Sequence, residues 1–149
     1  YPGSLEEIIA TINWVDIPEV EGWTMERFEV LHDPEVDPHG WMLNHIDGWS
    51  MIHSGDSGPC DELWNRIGMC NFAIVEMGVP EWVSTPHHHK PSDIVNLANK
   101  YPDTQIVVTH TYIDSDYLIL TTEVPKFPKN VIHGNDGMEF QLDSNGSLL

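Results

Sequence analysis

Apolar residues in this chain fall into short runs cut by Pro, Gly, Asp and Asn, and each run predicts one element. Leu5 to Ile12 is apolar with helical spacing and follows Ser4, which suits an N-cap, so a short helix is expected there. Arg27 to Leu31 alternates as a strand that ends at His32, after which Pro34, Pro38 and Gly40 mark a loop. Trp41–His45 and Trp49–His53 flank Ile46-Asp47-Gly48, and an Asp-Gly pair between two strand-like runs predicts a hairpin.

Ser54-Gly55-Asp56-Ser57-Gly58-Pro59 then reads as a tight loop feeding a helix over about 60–67. Pro59 suits its first turn, and Asp61 and Glu62 suit its electropositive N-terminus. Phe72–Glu76 is a continuous apolar run of buried-strand type, followed by a polar, His-rich loop from Gly78 to Lys90. Pro91–Lys100 predicts a helix with Ile94, Leu97, Ala98 and Tyr101 on one face. Gln105–Thr109 is another apolar strand, ending at His110, and weaker strands are expected at Tyr117–Thr121 and Met138–Leu142. This alternation of strand and helix is α/β. Residues 1–25 read as a connecting segment and 26–149 as the folded unit.

Composition narrows the function classes. Hydrophobic residues make up 40% of the chain, with six tryptophans, which supports a packed core. No apolar run approaches the ~18 residues of a membrane span, and nothing near the start combines a basic region with an apolar stretch. A cytoplasmic location is therefore expected. The net charge is −18, from 24 acidic and six basic side chains, and the basic residues do not cluster. That argues against extended nucleic-acid binding, which needs a basic surface to displace counterions from phosphates. A small anionic substrate stays compatible, because a bound metal can outweigh the long-range field. The two cysteines, Cys60 and Cys70, make neither a disulfide framework nor a four-cysteine zinc site, and read as core or near-core residues.

The nine histidines are the unusual feature. His32, Asp56 and His110 each follow an apolar strand, and ligands at strand ends of an α/β protein converge on one rim of the sheet. Imidazole and carboxylate are the donors that zinc, manganese or iron accept in hydrolytic sites. His39, in the Pro-Gly loop near His32, and His88 and Trp82, in the His-rich loop, are candidate substrate contacts. Glu76, ending an apolar strand, reads equally as a hydrogen-bond partner behind the site or an ordinary strand-end carboxylate, and Trp41, Trp49 and Trp64 read as packing.

Four segments in order carry a resemblance: Phe28–His32 continuing through Gly40–Leu43, Ser54–Asp61, His89 ahead of a helix, and Val107–His110. Together with the ending Asn135–Phe140, they resemble metallo-β-lactamase-fold hydrolases, in the branch of phosphodiesterases and ribonuclease Z. The match runs over about residues 26–142. The resemblance implies half of a four-layer αββα sandwich, a mixed sheet with helices on its outer face. It implies two divalent metal ions, zinc with manganese or iron as alternatives, bridged by Asp56 and bound by His32 and His110. It also implies His89 as the catalytic histidine, a one-residue slip putting His88 in that place.

One departure is large. The family's His-x-His-x-Asp-His motif, which supplies two ligands to each metal, occurs nowhere in the 149 residues. The resemblance thus implies the C-terminal half only, with the N-terminal half coming from a partner chain or further sequence. An isolated half-sandwich exposes a wide apolar face, so association is expected, a homo-oligomer included. The expected activity is metal-dependent hydrolysis of a small phosphodiester such as a cyclic nucleotide. The alternatives are a ribonuclease Z-like tRNA 3′-processing endonuclease, an inactive half-domain serving as an interaction module, or a thioesterase or lactonase.

Overall fold

A computed structural model describes residue 17 and residues 19–112 and 125–149. The helix expected at Leu5–Ile12 and the strand expected at Tyr117–Thr121 lie outside the described residues. The described chain forms a six-stranded mixed sheet in sequence order. Its strands are β1 (Trp23–Glu29), β2 (His39–His45), β3 (Ser50–His53), β4 (Phe72–Glu76), β5 (Gln105–Thr109) and β6 (Val131–His133). The first three pair antiparallel and the rest parallel. The sheet begins at Trp23, ahead of the boundary expected at residue 26.

The hairpin between β2 and β3 turns at Asp47-Gly48, where Gly48 takes φ +92°, a conformation that suits glycine. Helix α1 (Asp61–Ile67) follows β3, and helix α2 (Pro91–Lys100) follows β4. Because β3, β4 and β5 run parallel and march in one direction, crossovers of one hand place both helices on the same face. There Leu63, Ile67, Ile94 and Leu97 meet Ile52, Ala73, Val75, Ile106 and Val108, all fully buried. Each such aliphatic side chain contributes about 1.5–3 kcal/mol through burial.

Polar links fix the helices in place. Arg66, in the last turn of α1, bonds Glu62 at 2.7 Å and Glu26 of β1 at 2.9 Å, and its guanidinium lies 4.6 Å over the Phe28 ring. The Lys90 amide donates to Asp93, closing the first turn of α2 around Pro91. At the other end, the Asn130 side-chain amide sits 3.1–3.3 Å from the carbonyls of Ala98, Tyr101 and Thr104. That contact seats β6, a strand absent from the sequence reading because three residues are too few to show alternation. The strand expected at Met138–Leu142 is replaced by irregular chain, in which Leu142 makes a single bridge to Leu148.

Cys60 and Cys70 are free; Cys70 is buried and Cys60 packs against the core. Desolvation raises the Cys70 thiol above its ordinary value, with Ser50 and Arg66 opposing. Among the described residues no helix is long and apolar enough to cross a membrane.

The opposite face carries Met25, Leu43, Met51 and Phe72 in one cross-strand row, and Trp41, Ile74, Val107 and Ile132 in the next. Phe72 and Val107 are buried, Phe72 beneath Phe140 of the C-terminal segment at 5.6 Å. Trp41, Leu43, Met51, Ile74 and Ile132 are only half-buried.

Candidate active site

The parallel strands, together with β1, end on one rim of the sheet, so their C-terminal loops meet there. Three of those loops carry the strand-end residues His32, Asp56 and His110. A fourth, the loop after β4, brings in His87 and His88.

The Asp56 loop is held by close backbone approach. Ser54 is fully buried; its hydroxyl accepts from the Glu76 amide at 3.0 Å and donates to the Gly55 carbonyl at 2.7 Å. Gly55 has φ +62° and lies against the His39 carbonyl, where a side chain would clash. Gly58 donates its amide to the Leu31 carbonyl at 2.8 Å and abuts the Pro86 carbonyl with no room for a Cβ. One glycine thus joins the segment before His32 to the loop bearing the histidine run. The spacing Gly-Asp-Ser-Gly therefore serves packing as well as chemistry.

The rings converge in the following way. His32 lies 5.0 Å from the His88 ring and 5.6 Å from the His87 ring, and its buried Nδ1 has no hydrogen-bond partner among the described residues. His88 stacks on His110 at 5.9 Å and 21°. His110, at φ +48°, places Nε2 3.8 Å from the Asp56 carboxylate, and both side chains are about half exposed. His53, one turn of loop from Asp56, accepts from the Gly55 amide at 3.0 Å. Desolvation holds its imidazole below the ordinary value, while the Asp56 charge opposes that shift.

His89 stands elsewhere. It is fully buried beneath the rim, and its Nε2 accepts from the Trp64 indole at 3.1 Å. The imidazole that the fold brings beside His32 and His110 is His88, because successive side chains entering α2 diverge and only one can face outward. Glu76, 2% exposed, lies between the two histidines. Its carboxylate accepts from the His89 amide at 2.9 Å and the Gly78 amide at 2.6 Å, and stands 3.3 Å from His88 Nδ1. A carboxylate orienting an imidazole toward a reaction site is a recurrent arrangement.

The other candidates are peripheral. His39 has its Nδ1 engaged 2.7 Å from the Asp37 carbonyl. Trp82 is 64% exposed and has no ring contact with the histidines among the described residues. Beside His110, a cavity of about 470 Å³ opens between the sheet and the C-terminal segment, floored by Ile74, Val107 and Phe140 and rimmed by Thr109 and Asn135.

Whether these donors fit a metal centre has a direct answer. Among the described residues no three His, Cys, Asp or Glu side chains stand close enough together to hold an ion. Asp56 and His110 make a pair, with His32 on the far side of His88. The described set does not fit a complete centre by itself.

No protein-family model and no curated protein matches the sequence. Solved structures do match the fold. A possible metal-dependent hydrolase from Veillonella parvula has TM-score 0.62 at 15% identity, over 89% of this chain and 62% of its own. A diphosphatase from the PhnP family has TM-score 0.54 at 16% identity, over 83% of this chain and 44% of its own. A metallo-beta-lactamase fold protein from Bacillus subtilis has TM-score 0.54 at 12% identity, over 63% of this chain and 39% of its own. The chain spans between 39% and 62% of the length of these neighbours. With its six-stranded mixed sheet, helices on one face and strand-end histidines on one rim, the chain has the architecture of one half of the metallo-β-lactamase fold.

Proposed function

We propose that the chain is the C-terminal half of a metal-dependent hydrolase acting on a small phosphodiester, completed by an N-terminal half from further sequence or a partner chain. The observation that carries this reading is the meeting of His32, Asp56, His88 and His110 on one rim of a metallo-β-lactamase-type sheet. The neighbours described as a metal-dependent hydrolase and a diphosphatase support it. Divalent ions, zinc with manganese or iron as alternatives, are the implied cofactor. Asp56, His110 and His32 are the donors this chain would contribute, and the remaining ligands must come from the other half.

Within that scheme the chain's own residues have separate tasks. Glu76 engages His88 at Nδ1, which leaves Nε2 outside that contact. An imidazole so placed can hydrogen-bond a phosphoryl oxygen or deliver a proton to a leaving alkoxide. The cavity beside His110 offers an apolar floor and a polar rim to the group esterified to the phosphate. The half-buried apolar face is the surface on which the completing half, or a second copy in a homo-oligomer, would pack. A small substrate accords with the net charge of −18, whereas a long RNA footprint does not.

The test is native mass and metal content on one sample, followed by hydrolysis of bis(p-nitrophenyl) phosphate. The completed assembly is expected to carry metal and activity, and His88→Ala is expected to lower kcat about 10²–10⁴-fold. A sharp monomer that melts cooperatively, holds no metal and leaves the diester intact in every preparation would sink the proposal.

A further inference from the structure

Asp56 reaches the rim through Gly55, whose φ of +62° turns the chain off the end of β3. Glycine by itself does not choose that turn, because it adopts many backbone conformations at little cost. The choice falls to the two peptide planes that meet at its Cα, and each is held by a side chain just before it. The Ser54 hydroxyl donates to the Gly55 carbonyl at 2.7 Å, which pins the plane leading on to Asp56. The Gly55 amide donates to His53 Nδ1 at 3.0 Å, which pins the plane arriving from Ser54. Ser54 is fully buried, and its hydroxyl accepts from the Glu76 amide at 3.0 Å. His53 is the last residue of β3, with its backbone set between Trp41 of β2 and Ile74 of β4. Both side chains that orient Gly55 are thus tied to the sheet, the rigid part of the site.

We infer that His53 is a positioning residue: as an imidazole bare at Nδ1, it holds Gly55 in the turn that sets Asp56 beside His110. A backbone N–H only donates, so the ring nitrogen it meets carries no proton, and the neutral ring keeps its proton on Nε2. Desolvation favours this uncharged ring, against the pull of the Asp56 charge. The contact has the form of an Asx turn, in which a side-chain acceptor takes the amide two residues on. The His39 carbonyl excludes a side chain at Gly55 but does not bond its amide; that bond belongs to His53. The Asp56 carboxylate ends 3.8 Å from His110 Nε2, a distance that any rotation of the Gly55 planes would change. His53 matters to chemistry only if the proposed use of Asp56 holds, so this role rests on that reading; its test uses neither substrate nor activity.

The experiment is NMR on the whole ¹⁵N-labelled chain above the ordinary histidine pKa, with a chelator present to remove stray ions. In the unmodified protein His53 is expected in the Nε2–H form, with a through-bond ¹⁵N–¹⁵N coupling between its Nδ1 and the Gly55 amide. His53→Leu keeps the bulk and removes the acceptor. It is expected to speed hydrogen exchange at the Gly55 amide about five- to tenfold. The nuclear Overhauser contact between the Asp56 β protons and the His110 ring should fade with it. His53→Asn, whose side-chain oxygen can take the same amide, is expected to restore both signals. An Nδ1–H ring or a missing coupling in the unmodified protein would overturn the inference, and needs no variant that folds. So would a His53→Leu protein that keeps both signals, or a His53→Asn protein that recovers neither. Loss of phosphodiester hydrolysis in the completed assembly, with these signatures intact, would count against the proposed function and not against the role of His53.

Discussion

The two faces of the sheet are built on different terms. On the helix-covered face Ile52, Ala73, Val75, Ile106 and Val108 are wholly enclosed by α1 and α2. On the other face Trp41, Leu43, Met51, Ile74 and Ile132 remain half open, and only Phe72 and Val107 are buried. Alternation along each strand makes both faces apolar, yet among the described residues only one is covered by a helical layer. The candidate site shows the same asymmetry, since Asp56 and His110 are half exposed and supply too few donors for an ion. The half-open face and the small donor set are the two features on which the proposed N-terminal half rests.

The sharpest way to break this contrast is a matched pair of truncations on adjacent strands. Ile106→Ala leaves a cavity under the helices and is expected to cost about 2–5 kcal/mol. Ile74→Ala, on the open face, is expected to cost about 1 kcal/mol, because much of its surface already meets water. Urea denaturation of both variants decides the matter; equal losses would mean that the open face is covered in solution. If the proposed N-terminal half packs on this face, the difference should shrink when it is supplied.

A smaller effect is expected where the rim depends on backbone contact rather than burial. Gly58→Ala pushes a methyl group against the Pro86 carbonyl and should cost about 1–3 kcal/mol. The rings of His32 and His87 should separate with it, which ring-to-ring nuclear Overhauser contacts would report. Retention of those contacts at full stability would show that the rim does not need this glycine.

The smallest effect concerns Glu81, which ties the His-rich loop to the start of α2 by bonds from the Ser92 amide at 2.9 Å and hydroxyl at 2.8 Å. Desolvation opposes the shift, but the Ser92 bonds and Lys90 prevail, so its carboxyl stands below its ordinary value of 4.5. A carboxylate lowered on folding adds stability above its ordinary value and loses it as the pH falls through the lowered one. Glu81→Gln should therefore flatten the melting temperature slightly over the acid side of pH 4.5, and by little, since the group is exposed. An unchanged acid limb would remove Glu81 from the loop's support.

Much of the architecture was legible beforehand. The strands Phe72–Glu76 and Gln105–Thr109 and a helix over about Pro91–Lys100 were readable, because each is an apolar or periodic run closed by a turn signal. The rim was legible too: three strands ending in His32, Asp56 and His110 imply one edge once the strands share a sheet. β6 was not, since its seating depends on Asn130 and the end of α2 rather than on its own pattern. Nor was Trp64, which reads as packing and proves to be the donor to a buried imidazole.

The sequence by itself determined the local elements, the α/β alternation, the residue types at the strand ends and the absence of a His-x-His-x-Asp-His motif from these 149 residues. Those properties belong to residue order and chemistry, and survive any arrangement of the elements. Only the tertiary structure shows which of His88 and His89, neighbours with identical side chains, lies on the rim. Their difference lies in direction: where the loop enters α2, one ring turns outward to His32 and His110, and the other turns inward to Trp64. No periodicity encodes that choice, because it is made by what stands on either side of the backbone.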